Sequence, residues 1–467
     1  MIHTTLAPSL RRTAAFGRGL LGATIALWLA LVPPLRAEPQ RLTLTQARDY
    51  AAQLLAADET RAAHAVIKGL LTANPRDPTA LLLLVQAERR LGNLAAAETA
   101  ARQAHREARS PTEAFAAAFS LSQILAQQKK FTQSQFWLRR ARQDSDRPDY
   151  DALAEDRHRK ITQLNPWRSE FRFWLSPSDN INGGPTTNTF AIGTLVFINP
   201  AAVPASGVEY GLRFATSRRL GPLTPERGET RLGLRLLGTR YSLTDATKAA
   251  LPGLSAASLS YSLLEAEIDH SWTSASGARS YGALTLGRDE SGGAPLSNIA
   301  RITLRHDLPA GPQRAYSLTA DLERRSRLDQ SLRSSTTLGL GGELRQRLAN
   351  GTLLRLSARL SDTNSASNEI AQQAAEVGVS LSGLPSFFGT DPSLSLAYQL
   401  RDYDIARYGP DPRRDRQLRL SVDFALPKFD YMGFSPTLGL TFKQTKSNVP
   451  LFTTQETGIS LGFRSNF

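Results

Sequence analysis

Hydrophobic residues in the first third of the chain recur with the period of an α-helix. Within residues 42–164, the stretches 81–87 and 114–119 place apolar side chains at i, i+3 and i+4 spacing. Pro75, Pro111 and Pro148 follow one another at intervals of 36 and 37 residues. We predict two helices in each interval, separated near its middle by 91–93 and by 129–131.

A helix-turn-helix period in the mid-thirties resembles the tetratricopeptide repeat (TPR). Stacked helix pairs of this kind leave a concave groove that binds a peptide or a protein. A cofactor-binding helical bundle is the alternative, but it would need histidine or glutamate ligands pointing inward. His64, His105 and His158 occur about once per repeat among Arg and Glu, so we expect them at the surface. No cofactor or metal site is predicted.

The hydrophobic period changes to two after residue 167. In the segment 352–363, apolar residues (three Leu and Ala358) alternate with Arg355, Ser357 and Arg359. Several such segments exceed ten residues, about the length at which a tilted strand crosses a bilayer. The predicted strands are 168–175, 207–218, 229–242, 258–273, 278–289, 297–308, 314–326, 334–348, 352–363, 374–383, 392–404, 416–427, 434–446 and 456–467.

Long and short connections alternate between these segments. The loops at one end average roughly 13 residues and the turns at the other roughly 6, which is the asymmetry of outer-membrane barrels. The last segment places Phe463 and Phe467 on one face, and a terminal aromatic residue resembles the signal that the barrel assembly machinery recognises. We therefore predict a multidomain protein, with all-α TPR-like repeats followed by an all-β transmembrane barrel of about 14 antiparallel strands.

The N-terminal segment has the features of an export signal. Arg11, Arg12 and Arg18 precede an apolar core over 19–32, and Leu35-Arg36-Ala37 offers a cleavage site. A transmembrane anchor is the alternative, but the core is shorter than the ~20 residues needed to span a bilayer. The predicted domains are a cleaved signal peptide over 1–37, periplasmic TPR-like repeats over 38–164 and an outer-membrane β-barrel over 165–467.

Composition excludes several chemistries. The chain contains no Cys, so disulfides, thiolate metal sites and a lipidated N-terminal Cys are impossible. The net charge is +14, but the basic residues are spread along the chain, so no nucleic-acid partner is predicted. The neighbouring His270 and Ser271 form no recognisable nucleophile motif, and no catalytic residues are proposed.

The junction between the two periodic regions carries a specific motif. Pro166 and Trp167 close the helical region, and Asn180, Ile181 and Asn182 follow the first predicted strand. A Pro-Trp pair and then a Ser-Asp-Asn-Ile-Asn run, between TPR-like repeats and a C-terminal barrel, resembles the surface lipoprotein assembly modulator (Slam) family. The motif residues belong either to a turn kept for its shape or to a site of direct client contact.

This resemblance implies an outer-membrane translocator or assembly factor and no enzyme activity. Its implied partners are a client lipoprotein or secreted haem- or metal-scavenging protein, the outer-membrane lipid and the barrel assembly machinery. The implied location is the Gram-negative cell outer membrane, with the N-terminal domain in the periplasm. A TPR-barrel exopolysaccharide exporter and a solute porin remain alternative hypotheses.

Charged side chains fall on the predicted inner face of the barrel. They either guide a polypeptide or an anionic solute, or form cross-strand ion pairs that hold the wall together. The glycine-rich stretch 339–342 lies within a strand, so we interpret it as a kink or a close-packing site. The candidate lumen charges are Arg231, Arg235, Glu265, Glu267, Asp269, Arg355 and Arg359.

Overall fold

The computed structural model describes residues 41–192, 195–224, 228–406 and 411–465. The predicted signal peptide and Phe467 lie outside these residues. Seven helices come first in the described part, followed by a β-barrel. No helix among the described residues is both long and apolar enough to cross a membrane. The fold class predicted from the sequence is confirmed.

The helices form three antiparallel pairs and a final single helix. Each pair turns through a residue in the left-handed region, at Asp58 (φ 62°), Gly92 (φ 81°) and Lys129 (φ 60°), so the turns recur with the repeat. The helices are α1 (Leu44–Ala56), α2 (Thr60–Ala73), α3 (Pro78–Arg90), α4 (Leu94–Glu107), α5 (Pro111–Gln127), α6 (Phe131–Asp144) and α7 (Pro148–Leu164).

Small side chains fill the interfaces between these helices. Ala97 and Ala101 of α4 are fully buried against Leu121 and Ile124 of α5. Alanine brings two helix backbones close together and burial of the larger partners supplies the hydrophobic stabilisation. The first helix of each unit contacts the first helix of the next, which stacks the units into a continuous solenoid. We refer to α1–α7 as the helical domain.

Fourteen antiparallel strands close into the barrel, and two further strands form a separate hairpin. The hairpin consists of β2 (Thr189–Ile192) and β3 (Leu195–Ile198). The barrel strands are β1 (Trp167–Ser178), β4 (Gly207–Thr224), β5 (Gly228–Leu243), β6 (Tyr261–Thr273), β7 (Arg279–Ser291), β8 (Ala294–Pro309), β9 (Arg314–Arg327), β10 (Ser335–Arg347), β11 (Leu353–Ser365), β12 (Gln372–Ser382), β13 (Asp391–Tyr403), β14 (Arg414–Ala425), β15 (Phe434–Ser447) and β16 (Thr454–Ser465).

The two faces of the barrel wall differ in chemistry. On β11, Leu360 is 63% exposed on the outer face, whereas the neighbouring Arg359 points inward to an ion pair. The same alternation runs around the barrel and gives it an apolar outer surface, as a lipid environment requires. A short helix, α8 (Asp245–Ala250), lies in the connection between β5 and β6.

Two details differ from the sequence-based expectations. The hairpin β2–β3 lies within the region predicted as a loop, because its short apolar runs show no alternation. His158 is buried at 3% exposure, not at the surface. It lies on the inner side of α7, where its ring contacts Thr162.

Candidate functional site

The candidate site consists of the near rim of the barrel, defined as the end next to the helical domain, together with the groove and the lumen. Asn165 lies at the junction between the helical domain and the barrel. The buried Asn165 side chain donates from Nδ2 to Gln135 Oε1 at 2.6 Å and accepts at Oδ1 from the Trp167 amide at 3.0 Å. The end of α7 is thereby fixed both to α6 and to the first strand.

Two arginines of the barrel bind the chain where it enters β1. The Arg219 amide donates to the Pro166 carbonyl at 2.8 Å, and its guanidinium donates to Leu164 O at 3.2 Å. Arg231 donates to Pro166 O at 3.0 Å and pairs with Glu229. Arg231, predicted as a lumen charge, therefore anchors the junction.

A second attachment joins α6 to the turn between β14 and β15. Arg142 pairs with Asp430 at 3.6 Å, and Gln143 Oε1 accepts from the Met432 amide at 3.0 Å. The Arg139 guanidinium lies 5.3 Å from the centre of the Phe434 ring. Burial lowers the pKa of Arg139, against the effect of nearby Asp430, which raises it. The helical domain is thus held at two separate places on the near rim.

The motif residue Asn180 lies at the opposite end, the far rim, and is 2% exposed. Its Nδ2 donates to Gly184 O and to Gln455 O, both at 2.8 Å, and its Oδ1 accepts from the Gly184 amide at 2.7 Å. The preceding residue, Asp179, accepts a hydrogen bond from the Thr457 amide at 2.7 Å. These bonds join the end of β1 to β16, so Asn180 serves the shape of the loop.

The next two motif residues hold the loop that carries the hairpin. Asn182 donates to Val203 O at 3.0 Å and accepts from the Ala205 amide at 2.9 Å. The Ile181 amide donates to Ala205 O at 2.8 Å. The motif predicted from the sequence is therefore divided between the two rims: Pro166 and Trp167 lie at the near rim, whereas Asn180, Ile181 and Asn182 lie at the far rim.

Trp167 and Phe463, two aromatic residues singled out in the sequence, lie on the outer face of the barrel. Trp167 is half exposed, with the Arg218 guanidinium 5.6 Å from its ring centre. Phe463 is also exposed, near the end of β16. An aromatic side chain at a rim suits the boundary between lipid and water.

The inner wall carries a continuous network of ion pairs across β5–β9. Arg235 pairs with Glu265 at 2.6 Å, and Arg301 bridges Glu265 at 3.4 Å and Glu323 at 2.7 Å. Arg325 continues the network from Glu323 at 3.4 Å. The predicted charges Arg235 and Glu265 are therefore joined in one cross-strand lattice.

Several ion pairs of the inner wall connect strands that are not neighbours. Arg359 of β11 reaches Asp321 of β9 at 2.6 Å, across Gly339 of β10. A Cβ on Gly339 would lie 2.1 Å from Arg359 Nη2, so the absent side chain leaves room for the pair. The glycine-rich stretch is therefore a close-packing site at this position. Arg355, the other predicted charge of β11, pairs with Glu343 at 3.6 Å.

A polar pocket of about 240 Å³ lies beside this network, close to the near rim. Glu267 and Asp269 line it, together with Arg168 and Arg235. Glu267 also accepts hydrogen bonds from the Tyr281 hydroxyl at 3.2 Å and the Thr285 hydroxyl at 2.9 Å. In the described part of the chain, no group of three His, Asp or Glu side chains is arranged to hold a metal ion.

The helical domain offers a second pocket, of about 390 Å³, between α5, α6 and α7. Polar side chains such as Gln123 and Gln127 line one wall, and Ile161 and Leu164 line the other. Leu164 is more than half exposed and directly precedes the junction. The pocket therefore has apolar surface close to the barrel mouth.

Solved structures resemble the two parts of the chain separately. The Yersinia enterocolitica type III secretion translocator chaperone SycD is 17% identical, with 27% of this chain and 97% of the chaperone covered and a TM-score of 0.25. Acinetobacter baumannii OccAB3 is 8% identical, with coverages of 63% and 98% and a TM-score of 0.36. A BenF-like porin from Pseudomonas fluorescens Pf-5 is 9% identical, with coverages of 64% and 99% and a TM-score of 0.35. No curated protein matches the chain.

A closed 14-stranded barrel with an apolar outer face, preceded by helical repeats, defines a class of outer-membrane protein. The family model of the surface lipoprotein assembly modifiers matches residues 352–467, which contain β11–β16. The family resemblance noted at the junction is therefore confirmed over the C-terminal region. The family match over residues 352–467 and the closed barrel together indicate a location in the outer membrane, with the helical domain N-terminal to the barrel.

Proposed function

We propose that the protein is an outer-membrane translocator or assembly factor that delivers one specific client to the cell surface or the medium. The client is a surface lipoprotein or a secreted haem- or metal-scavenging protein. The helical domain lies in the periplasm, where its groove holds the client in an incompletely folded form. The near rim therefore faces the periplasm and the far rim faces outward.

The observation that carries this proposal is the double attachment of the helical domain to the barrel mouth. Arg219 and Arg231 hold the junction, while Arg142 and Gln143 hold the turn at Asp430 and Met432. A chaperone-like solenoid fixed at this position presents its bound client directly to the barrel. A porin for small solutes has no need of such a docked domain.

The family match supports the same proposal, because its description concerns the assembly of surface lipoproteins. The ion-pair lattice supports a structural role for the lumen charges, since Arg235, Glu265 and Arg359 bind other wall residues. An exopolysaccharide exporter and a solute porin are the alternatives that the experiment must separate. Insertion of the barrel depends on the barrel assembly machinery.

The test compares the host with and without this gene. Surface proteins are released by protease, the medium is collected, and both are quantified by mass spectrometry. We expect selective loss of one or two proteins, which accumulate inside the envelope. An unchanged protein profile with less extracellular polysaccharide would support the exporter instead, and no change in either would favour the porin.

A variant of the second attachment complements this comparison. Asp430→Lys reverses the charge opposite Arg142 at a position outside the barrel strands, in the turn between β14 and β15. If the docked helical domain presents the client, this variant reduces delivery while the barrel remains assembled. Normal delivery by the variant would show that the ion pair of the second attachment has no part in the function.

A further inference from the structure

The outer face of β14 and β15 changes from apolar to basic near the far rim. Leu420 and Phe442 are opposite each other in this pair of strands, and Leu420 is exposed on the lipid-facing side. Side chains of a strand alternate between the two faces, so residues separated by two or four positions share a face. Arg416 therefore lies on the face of Leu420, and Lys446 lies on the face of Phe442.

Arg416 and Lys446 form a like-charge pair. They are directly opposite each other in the β14–β15 ladder, and both are exposed. The Cβ atoms at such positions are about 5 Å apart, and two like charges there destabilise a sheet. Among the described residues, the ion pairs of these two strands involve Arg414, Asp415 and Lys443 instead. The pair therefore costs free energy unless an anion lies between its two cations.

Arg414 adds a third cation to the same face. It lies two residues before Arg416, and its contact with Asp402 is long, at 4.0 Å. The side chains of this contact are 65% and 71% exposed, and exposed ion pairs contribute little to stability. We refer to Arg414, Arg416 and Lys446 as the basic triad.

The backbone that carries the basic triad is held at the far rim by Asn448. The Arg414 amide donates to Asn448 Oδ1 at 2.7 Å, and the Asn448 amide donates to Arg414 O at 3.2 Å. Asn448 Nδ2 also donates to Pro412 O at 2.9 Å. The ends of β14 and β15 are thereby joined, so the spacing of the three cations is set before any ligand binds. A preformed site of this kind loses little conformational entropy on binding.

The neighbouring Arg413, which faces the lumen, is neutralised by the protein itself. Its guanidinium donates to the buried Asp415 at 2.6 Å and lies 4.1 Å from the centre of the Tyr403 ring. The centre of the Phe452 ring is 3.4 Å away. Uncompensated cations on the outer face are costly unless they reach the membrane surface. The basic triad therefore belongs at the level of the lipid head groups.

We propose that the basic triad binds the phosphate groups of lipopolysaccharide, the phosphorylated glycolipid of the outer leaflet. Arginine binds phosphate through two parallel hydrogen bonds, and the lysine ammonium adds a compact charge. A phosphate between Arg416 and Lys446 replaces their repulsion by two attractions. The inference goes beyond the proposed function and rests on it only for the orientation, in which the far rim faces the cell surface.

The first experiment measures lipopolysaccharide binding by native mass spectrometry of the purified full chain. The Arg416→Gln, Lys446→Gln double variant should bind about 30-fold more weakly, since each cation near an anionic lipid contributes roughly a factor of five. The control is Arg218→Gln, Arg314→Gln, which removes two cations at the near rim and should bind as the native chain does. Equal affinity of the native chain and the first variant would overturn the inference.

The second experiment reverses one charge of the like-charge pair. In Lys446→Glu an ion pair with Arg416 replaces the repulsion, so the barrel should melt at a higher temperature than the native chain in detergent without lipopolysaccharide. Added lipopolysaccharide should then raise the melting temperature of the native chain but not that of the variant. If Lys446→Glu melts lower than the native chain without the lipid, the cations are not held in repulsion and the inference fails.

A phospholipid provides the test of lipid identity. Phosphatidylglycerol also carries a phosphate, but it presents only one and lacks the sugar scaffold. We expect it to bind the native chain more weakly than lipopolysaccharide does, with little change in the Arg416→Gln, Lys446→Gln variant. Equal affinity for both lipids, lost equally in the variant, would refute the assignment to lipopolysaccharide.

Cysteine labelling of intact cells tests the orientation separately. The chain contains no Cys, so Leu332→Cys at the far rim and Phe388→Cys at the near rim each introduce a single exposed thiol. A membrane-impermeant maleimide should label only the first variant. Labelling of only the second would overturn the orientation and with it the proposed function. Loss of the 30-fold difference in the purified chain would instead refute the basic triad alone.

Discussion

Arg359 on β11 binds Asp321 on β9 through two parallel hydrogen bonds, of 2.6 and 2.8 Å, across the full width of the intervening strand. The residue beneath the pair is Gly339. Ser317 occupies the equivalent place under Arg345 and Asp307 and hydrogen-bonds to both. Ion pairs that span three strands thus depend on a small residue in the middle strand.

Enlarging the middle residue should break the pair. In Gly339→Leu the new side chain occupies the place of the Arg359 guanidinium, and the barrel should lose about 2 kcal/mol from the charged hydrogen bonds. Urea-induced unfolding in lipid vesicles measures this change. Gly342→Ala is the control, because its Cβ would meet nothing within 4 Å. An equal loss in both variants would contradict the explanation.

Gly339→Leu should lower the stability of the barrel less when the Arg359–Asp321 pair is already absent. We expect Gly339→Leu to destabilise an Arg359→Ala, Asp321→Ala background far less than the native chain, because contacting residues are not additive. Unfolding of the four chains gives the coupling free energy. Full additivity would show that Gly339 acts independently of the pair.

Loss of the Asn180 amide should destabilise the far rim. Asn180→Ala leaves the Gly184 amide and the Gln455 carbonyl without their partner, which costs about 2–3 kcal/mol. We expect a lower temperature for the shift between folded and unfolded forms in electrophoresis. Asn364→Ala, at an exposed site on β11, is the control and should behave as the native chain.

The stability of the helical domain should fall at acidic pH because of His158. Burial, with a further contribution from Arg139, lowers the pKa of His158 to about 4 from the usual 6.5. The unfolded chain therefore binds a proton below pH 6.5 that the folded domain excludes, so stability is lost as the pH falls from 6.5 towards 4. Thermal melting of the full chain followed at 222 nm, at pH 7 and at pH 5, measures the effect.

His158→Gln provides the comparison for this pH dependence. The amide occupies a similar volume without titrating, so the difference between the two melting temperatures should shrink. An unchanged difference would assign the pH dependence to other groups.

The second attachment should control how firmly the helical domain is held. In Asp430→Lys the ion pair with Arg142 becomes a repulsion, so the domain should separate from the turn between β14 and β15. Limited proteolysis should cut the junction near Asn165 several times faster than in the native chain. Asp362→Lys, an exposed site near the far rim, is the control. Equal cleavage rates would show that the attachment contributes nothing.

The strands were predictable because each barrel residue meets one of two environments. Leu360 faces lipid and Arg359 faces the lumen, and this difference imposes the period of two on the sequence. Each of the fourteen predicted strands is present, and the strand ends that the structure describes differ from the predicted ones by at most six residues. The helical repeats were predictable for a similar reason, since their turns at Asp58, Gly92 and Lys129 recur at similar intervals, of 34 and 37 residues.

The contacts between distant elements could not be predicted from local patterns. Parity places Arg359 on the inner face, but only the register of three strands shows that its partner is Asp321. Arg142 and Asp430 lie 288 positions apart, and nothing near either residue indicates the other. The burial of His158 was not predicted, because its polar neighbours in sequence point away from the core.

The two attachments of the helical domain have a mechanical consequence. One lies on β4 and the other on the turn before β15, so the helical domain spans β1 and β16, which lie between these strands. A relative movement of the two attachments would strain the wall between β4 and β15. The helical domain therefore braces the part of the near rim that contains both the first and the last strand of the barrel.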